Sequence, residues 1–336
     1  MTLLPRGLAD LPLLDEQRLR ALVPMTSAIV ALEAALHDGS APGVAPPRTA
    51  VLTTAGQVLL MPAATSRFVG VKLVTVAPNN GQLGLPRVQG VYVLMDAVSL
   101  TPVALVDGVT LTSLRTPATS AVALRHLAPH RPVKLVVIGT GPQGYGHVEA
   151  VQAVRPVTQV TVVGRDRSRA DDLARWCQGR GLPAHVVAGS DLPDRLEGPI
   201  READVVVCAT TARWPVFESA WLQDDAAVVA VGSHEPDSRE VDTDLVLRST
   251  VIVETRDTAL REAGDVMIPI RDGECGPEVI AGELGELVRG LIQVPGHRPR
   301  LFKSTGEGWE DLVVAAAAYD RLQVAHTPPF GVRSGW

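Results

Sequence analysis

A run of β-branched residues, Val133 to Ile138, leads straight into Gly139-Thr140-Gly141-Pro142-Gln143-Gly144, and a helical period follows from Tyr145 to Val154. Glycines at G-x-G-x-x-G spacing often arise by chance. A strand before, a helix after and a second strand, Gln159 to Val163, about 20 residues on make the pattern specific. Gly139 then permits a tight turn, Gly141 lets the backbone approach a pyrophosphate, and Gly144 lets the helix pack close with its first N–H groups facing the anion. Beyond this point strands keep alternating with helices. Val205 to Cys208, Ala227 to Val231 and Val251 to Val253 read as strands, and Ser168 to Gly179, Leu284 to Ile292 and the Ala-rich Glu310 to Val324 read as helices. That alternation predicts an α/β fold, a Rossmann-type doubly wound parallel sheet.

The residues before Pro132 have a different character. A helical period runs from Leu13 to Leu36 with a break at Pro24, and Gly39 to Pro47 ends it. Short apolar runs follow at Ala50 to Thr53, Gln57 to Met61, Gly70 to Val76, Gly90 to Met95 and Val103 to Val106, with turn residues such as Pro78 to Gly81 between them. They predict a meander of strands, then a helix from Leu111 to Leu127. With 336 residues the chain has room for two domains, the second being α+β. An exposed apolar sheet face in this half would call for a partner copy.

Composition narrows the function classes. A net charge of -6 without a basic block argues against nucleic-acid binding. No apolar run nears the roughly 18 residues of a membrane span, and Met1 to Leu14, with Asp10 among its leucines, lacks a leader pattern, so the expectation is a cytoplasmic protein without membrane contact. Cys177, Cys208 and Cys275 are too few and scattered for a disulfide frame or a zinc site, and no metal is expected.

Where an NAD site usually places an acid at the end of its second strand, this chain reads Val163-Gly164-Arg165-Asp166-Arg167-Ser168. Gly164 carries no side chain to repel a 2′-phosphate. Arg165 offers a planar fork for one, with Arg167 or Ser168 in support. NADP(H) is therefore the preferred cofactor, and NAD(H) remains possible through Asp166. Ala209-Thr210-Thr211 and Gly232-Ser233-His234 follow the next strands, either as a floor for ribose and nicotinamide or as plain strand-end turns.

Only three lysines occur in the chain, and one of them, Lys72, interrupts the apolar run Val69 to Val76. A lysine in a buried strand is costly unless it meets an anion. Arg48 and Arg115 lie in the same half. Converging with Lys72 beside a nicotinamide, they would suit the carboxylate of an amino or imino acid.

At these residues the sequence resembles the ornithine cyclodeaminase/μ-crystallin family. The resemblance rests on Gly70-Val71-Lys72-Leu73-Val74-Thr75, Leu114-Arg115-Thr116-Pro117-Ala118-Thr119-Ser120, the Gly139 to Gly144 loop, Gly232 to Glu240, and Leu301-Phe302-Lys303-Ser304-Thr305-Gly306. It implies a homodimer, with a substrate and dimerisation domain from residues 1–125 plus 307–336 and a Rossmann domain from 126–306. It also implies that Arg48, Lys72 and Arg115 hold the substrate carboxylate and that Thr116, Ser304 and Gly306 border the cofactor. In ornithine cyclodeaminases the turn after a late Rossmann strand carries an aspartate, where this chain has His234. The resemblance therefore favours an NAD(P)H-dependent reductase of cyclic or open-chain α-imino acids, or the reverse amino-acid oxidation, with Lys72, Arg115 and His234 as catalytic residues. A cyclodeaminase with bound NAD and a non-catalytic, crystallin-like binding protein are the alternatives.

Overall fold

A computed structural model of the chain describes residues 7–39, 46–189 and 192–326. The start of the N-terminal segment and most of the Gly39 to Pro47 breaker lie outside them. The chain divides into two compact units. One comprises residues 1–31, 45–112 and 308–336, the other 32–44 and 113–307.

The chain begins with β1 (Leu13–Leu14), α1 (Glu16–Leu22) and α2 (Met25–His37), the helices meeting at Pro24 where the sequence places the break. Then come β2 (Thr49–Thr53), β3 (Gly56–Ala64), β4 (Phe68–Val76), β5 (Val88–Asp96), β6 (Pro102–Asp107) and α3 (Gly108–Leu127). The middle of the chain runs β7 (Val133–Ile138), α4 (Pro142–Val154), β8 (Val157–Gly164), α5 (Arg167–Gly179), β9 (Ala184–Ala188), α6 (Leu192–Arg195), α7 (Glu197–Glu202), β10 (Val205–Cys208) and β11 (Ala227–Ala230). It ends with α8 (Thr243–Arg248), β12 (Thr250–Val253), α9 (Arg256–Glu262), α10 (Gly264–Arg271), β13 (Ile280–Glu283), α11 (Leu284–Val288), β14 (Arg300–Lys303) and α12 (Gly308–His326).

In the first unit six strands form one sheet in the order β1-β6-β5-β4-β3-β2, antiparallel except for β1 beside β6. The strict alternation of a pleated strand sorts β4 into two faces. Phe68, Gly70, Lys72 and Val74 are buried, and α12 packs on this side against β3, β4 and β5. The opposite face is apolar and open to solvent: Leu73 is 40% exposed and Val51 49%, with Leu60, Val71, Val91 and Val93 half-buried between them.

The second unit holds an eight-stranded, wholly parallel sheet in the order β9-β8-β7-β10-β11-β14-β12-β13. Strand order reverses between β7 and β10, the switch point at which such sheets bind ligands beyond their carboxyl ends. The core is mostly small and branched, as in the fully buried Val205, Val206 and Val207 of β10. Three of these strands have no counterpart among those expected from the sequence. β9 and β13 form the two edges, whereas β14 inserts between β11 and β12 and so brings Lys303 and the Ser304–Gly306 turn to the carboxyl ends of the central strands. The helix expected over Leu284 to Ile292 stops at Val288, where Gly290 takes a left-handed φ of 71°.

Candidate active site

The glycine turn joins β7 to α4 as its sequence predicts. Gly139 has a φ of 124°, and a Cβ there would lie 2.3 Å from the Ala209 carbonyl oxygen on the neighbouring strand end. A Cβ on Gly144 would lie 2.3 Å from the Gly139 carbonyl oxygen, so the helix can start this close only with glycine. At Gly141 nothing stands within 4 Å of the place a Cβ would take, which leaves its backbone open toward the ligand side. These are the requirements of a pyrophosphate cradle, and the residues fit a dinucleotide.

A cleft of about 980 Å³ opens from this turn. Gly139, Thr140 and Gly141 line it, together with Ala209, Thr210 and Thr211 at the end of the neighbouring β10 and the apolar Leu196, Phe217 and Trp221. At the end of β8 the wall consists of Gly164, Arg165, Asp166 and Arg169. Arg167 and Ser168 are not part of it: they belong to the first turn of α5, where the Arg167 Nε lies 3.3 Å from Asp171. Arg169, four residues beyond Arg165, reaches the same wall from the first turn of α5. Gln143 and Gly144 lie in the first turn of α4, and the Gln143 carbonyl accepts from His147 Nδ1 at 2.7 Å. Burial lowers the pKa of that histidine to about 4, against the opposing effect of the Gln143 bond. The neutral imidazole places Nε2 3.0 Å from Ser120 Oγ, so it ties the glycine-turn helix to α3.

Within the same unit α3 carries Arg115 and Thr116, both buried. The Arg115 guanidinium packs on Gly306, where a Cβ would stand 2.4 Å from its Nη1. Ser304 and Gly306, expected beside the cofactor, are engaged by Glu254. Its carboxylate accepts from Ser304 Oγ at 2.6 Å, from the Thr305 N–H at 2.9 Å and from the Gly306 N–H at 2.9 Å. This turn therefore serves as a shaped seat for Arg115.

Beneath the Gly232-Ser233-His234 turn lies a fully buried charged cluster. Lys303 Nζ pairs with Asp265 Oδ2 at 2.8 Å and donates to the Ser233 carbonyl at 2.6 Å. Asp265 Oδ1 accepts the N–H groups of Glu240 and Val241, and Glu240 in turn accepts from Thr210 and from the Gly232 N–H. Burial pushes the Glu240 carboxyl above its ordinary range in spite of the Lys303 ammonium. The cluster thus clasps the carboxyl ends of β10 and β11, with the half-buried His234 on the turn above it.

The first unit holds Arg48, half-buried just before β2, and Lys72, 1% exposed on β4. Lys72 Nζ lies 2.7 Å from Asp311 Oδ2 of α12 and donates to Thr112 Oγ1 at 3.1 Å. The sequence reading anticipated an anion for Lys72 and missed this one. Trp309-Glu310-Asp311 opens an otherwise Ala-rich helix, and nothing in its spacing points to Lys72.

Residues 13–326 match the model of the ornithine cyclodeaminase/mu-crystallin family. A Delta(1)-pyrroline-2-carboxylate reductase of Bacillus cereus is 35% identical over 90% of this chain and 94% of its own length. Among solved structures, Delta(1)-pyrroline-2-carboxylate reductase of Thermococcus litoralis in complex with NADH and L-proline superimposes with a TM-score of 0.86 at 30% identity, over 94% of this chain and 98% of that one. An archaeal alanine dehydrogenase dimer with bound NAD gives 0.85 at 26% identity, over 94% and 97%. With nearly its whole length matched, the chain belongs to the ornithine cyclodeaminase/mu-crystallin family.

Proposed function

We propose that the protein is an NAD(P)H-dependent reductase of α-imino acids, suited to small cyclic ones such as Δ1-pyrroline-2-carboxylate or Δ1-piperideine-2-carboxylate, and able to run the reverse oxidation. One observation carries the reading: a chain with a glycine-lined dinucleotide cleft also buries Arg115 almost completely, a cation suited to a carboxylate, and keeps a second buried cation, Lys72, fixed against Asp311. The likeness to a reductase whose structure holds NADH and L-proline supports the same chemistry. When bound, the reduced nicotinamide supplies hydride to the imine carbon. The chain itself contributes orientation and charge. Arg115, rigid on its Gly306 seat, and Lys72, with Arg48, hold the carboxylate. His234 orients or protonates from the turn above the Lys303 cluster.

The finer cofactor preference is for NADPH. Gly164, Arg165 and Arg169 support it, since a 2′-phosphate at the end of β8 would meet two guanidinium groups. The protein acts as a homodimer. The open apolar face around Leu73 and Val51 supports this, because monomers rarely leave such a sheet face wet. Leu73→Asp should then yield monomers in sedimentation.

The deciding experiment follows NADPH absorbance with purified protein and a panel of imino acids. Consumption in proportion to added Δ1-pyrroline-2-carboxylate is expected. Ammonia release from ornithine without net cofactor turnover would replace the reading with a cyclodeaminase.

A further inference from the structure

The Lys72 ammonium occupies an unusual setting for a group that must handle substrate. Its side chain is 2% exposed and that of Asp311 0%, at 2.7 Å between Nζ and Oδ2. Thr112 Oγ1 accepts from Nζ at 3.1 Å while its own hydroxyl donates to the Gly108 carbonyl at 2.8 Å, so the threonine can only receive from the lysine. In the sheet Lys72 stands between Met61 and Tyr92. The Tyr92 ring leans over Gly70, where a Cβ would lie 2.0 Å from its hydroxyl. That hydroxyl is buried without a hydrogen-bond partner among the described residues. Burial, and then the Asp311 charge, push the phenol well above its ordinary range, which keeps it a proton donor.

Among the described residues, the titratable groups placed beside Lys72 include Tyr92 of the paired strand β5 and, on α12, Asp311 with its buried neighbour Glu310. Burial alone strips a lysine of its proton, whereas an adjacent carboxylate restores the charged form.

We propose that Asp311 is a positioning residue of the reaction: from α12 it pins the Lys72 Nζ and holds it as an ammonium, so that Lys72 acts on the imino acid as an N–H donor and never as a lone pair. The proposal rests on the imino-acid reading above. It makes α12, far from Lys72 in sequence, a working part of the substrate unit, and it explains why a lysine is tolerated inside an apolar strand.

Because the chain has only Lys72, Lys134 and Lys303, ¹⁵Nζ-lysine NMR of the whole protein follows each one by itself. Lys134→Arg assigns the exposed signal. Lys72 in the wild type is expected to remain an ammonium beyond about pH 9, and in Asp311→Asn its midpoint should fall by about 1–3 units. The alkaline limb of the kcat/KM profile should move by the same amount, with NADPH affinity unchanged. A wild-type Lys72 titrating below about pH 8, or an Asp311→Asn midpoint within about 0.3 unit of wild type, overturns the proposal. Should Asp311→Asn fail to fold, the wild-type titration decides alone, and Asp311→Glu must keep its midpoint. If wild type consumes no NADPH with any imino acid, the functional reading falls while the titration still reports on the pair.

Discussion

Replacing Asp265 by Asn tests the buried cluster under the His234 turn. The change preserves shape and leaves an amide oxygen for the Glu240 and Val241 N–H groups, which bond Oδ1 at 2.6 and 3.0 Å. It removes the charge that faces Lys303 at 2.8 Å, with both side chains 0% exposed. Lys303 then keeps only the Ser233 carbonyl among the bonds described above. Deleting one partner of a buried pair costs about 3–5 kcal/mol, because the other charge stays buried and uncompensated. The unit that contains the pair has roughly 200 residues, a size at which each kcal/mol lowers Tm by about 2–4 °C, so a fall of about 6–20 °C is expected. Scanning calorimetry measures it. The companion variant, Lys303→Met with Asp265→Asn, removes the stranded charge and should recover a large part of the loss. A fall in Tm below about 2 °C for the single variant, or a double variant that loses the sum of both single changes, would refute the account.

Two further outcomes follow from the site. His147, with a native pKa of about 4 against an ordinary 6.5, binds no proton between those values while the unfolded chain does. Stability should therefore be full above pH 6.5 and decline as pH falls toward 4, by about 3 kcal/mol over the range. His147→Gln should flatten that slope, and coincident pH curves for the two proteins would count against it. At the end of β8, Arg165→Ala and Arg169→Ala should each weaken NADPH by about 10–100-fold, the worth of a charge-assisted bond, with little change for NADH, whereas Arg167→Ala should leave both alone. Equal losses for the two cofactors would remove the 2′-phosphate from the argument.

What the sequence reveals is what local chemistry encodes. The Gly139–Gly144 turn was legible because it sits in one local strand–turn–helix unit, where Gly139 and Gly144 have no room for a Cβ and Gly141 leaves the backbone open. Arg165 lines the cleft from the position directly after β8, whereas the approach of Arg169 depends on the phase of α5, which spacing alone does not reveal. The meander β2 to β6 followed from alternation, and Pro24 marked a real helix break. β14 was missed because four residues framed by Arg300 and Lys303 look like surface, yet parallel neighbours on both sides bury them completely. Lys72 stood out as a charge in an apolar run. Its counter-ion did not, because pairing across the fold leaves no trace in spacing. The same holds for Asp265 and Lys303, and for Glu254, whose carboxylate accepts from the Ser304–Gly306 turn.

The first unit is assembled from separated stretches of the chain, and its sheet is closed by a helix that follows the entire parallel-sheet unit. Arg67 and Asp320, joined by two hydrogen bonds of 3.0 and 2.9 Å, are 253 residues apart. During synthesis, strands β2 to β6 must wait, with one apolar face open and the Lys72 amine uncovered, until α12 has been made. Contacts of such long sequence separation form slowly and leave sheet surface exposed to association in the meantime. The maturation of this protein should therefore be limited by the docking of one late helix, and chaperone demand should fall on the early strands rather than on the nucleotide unit.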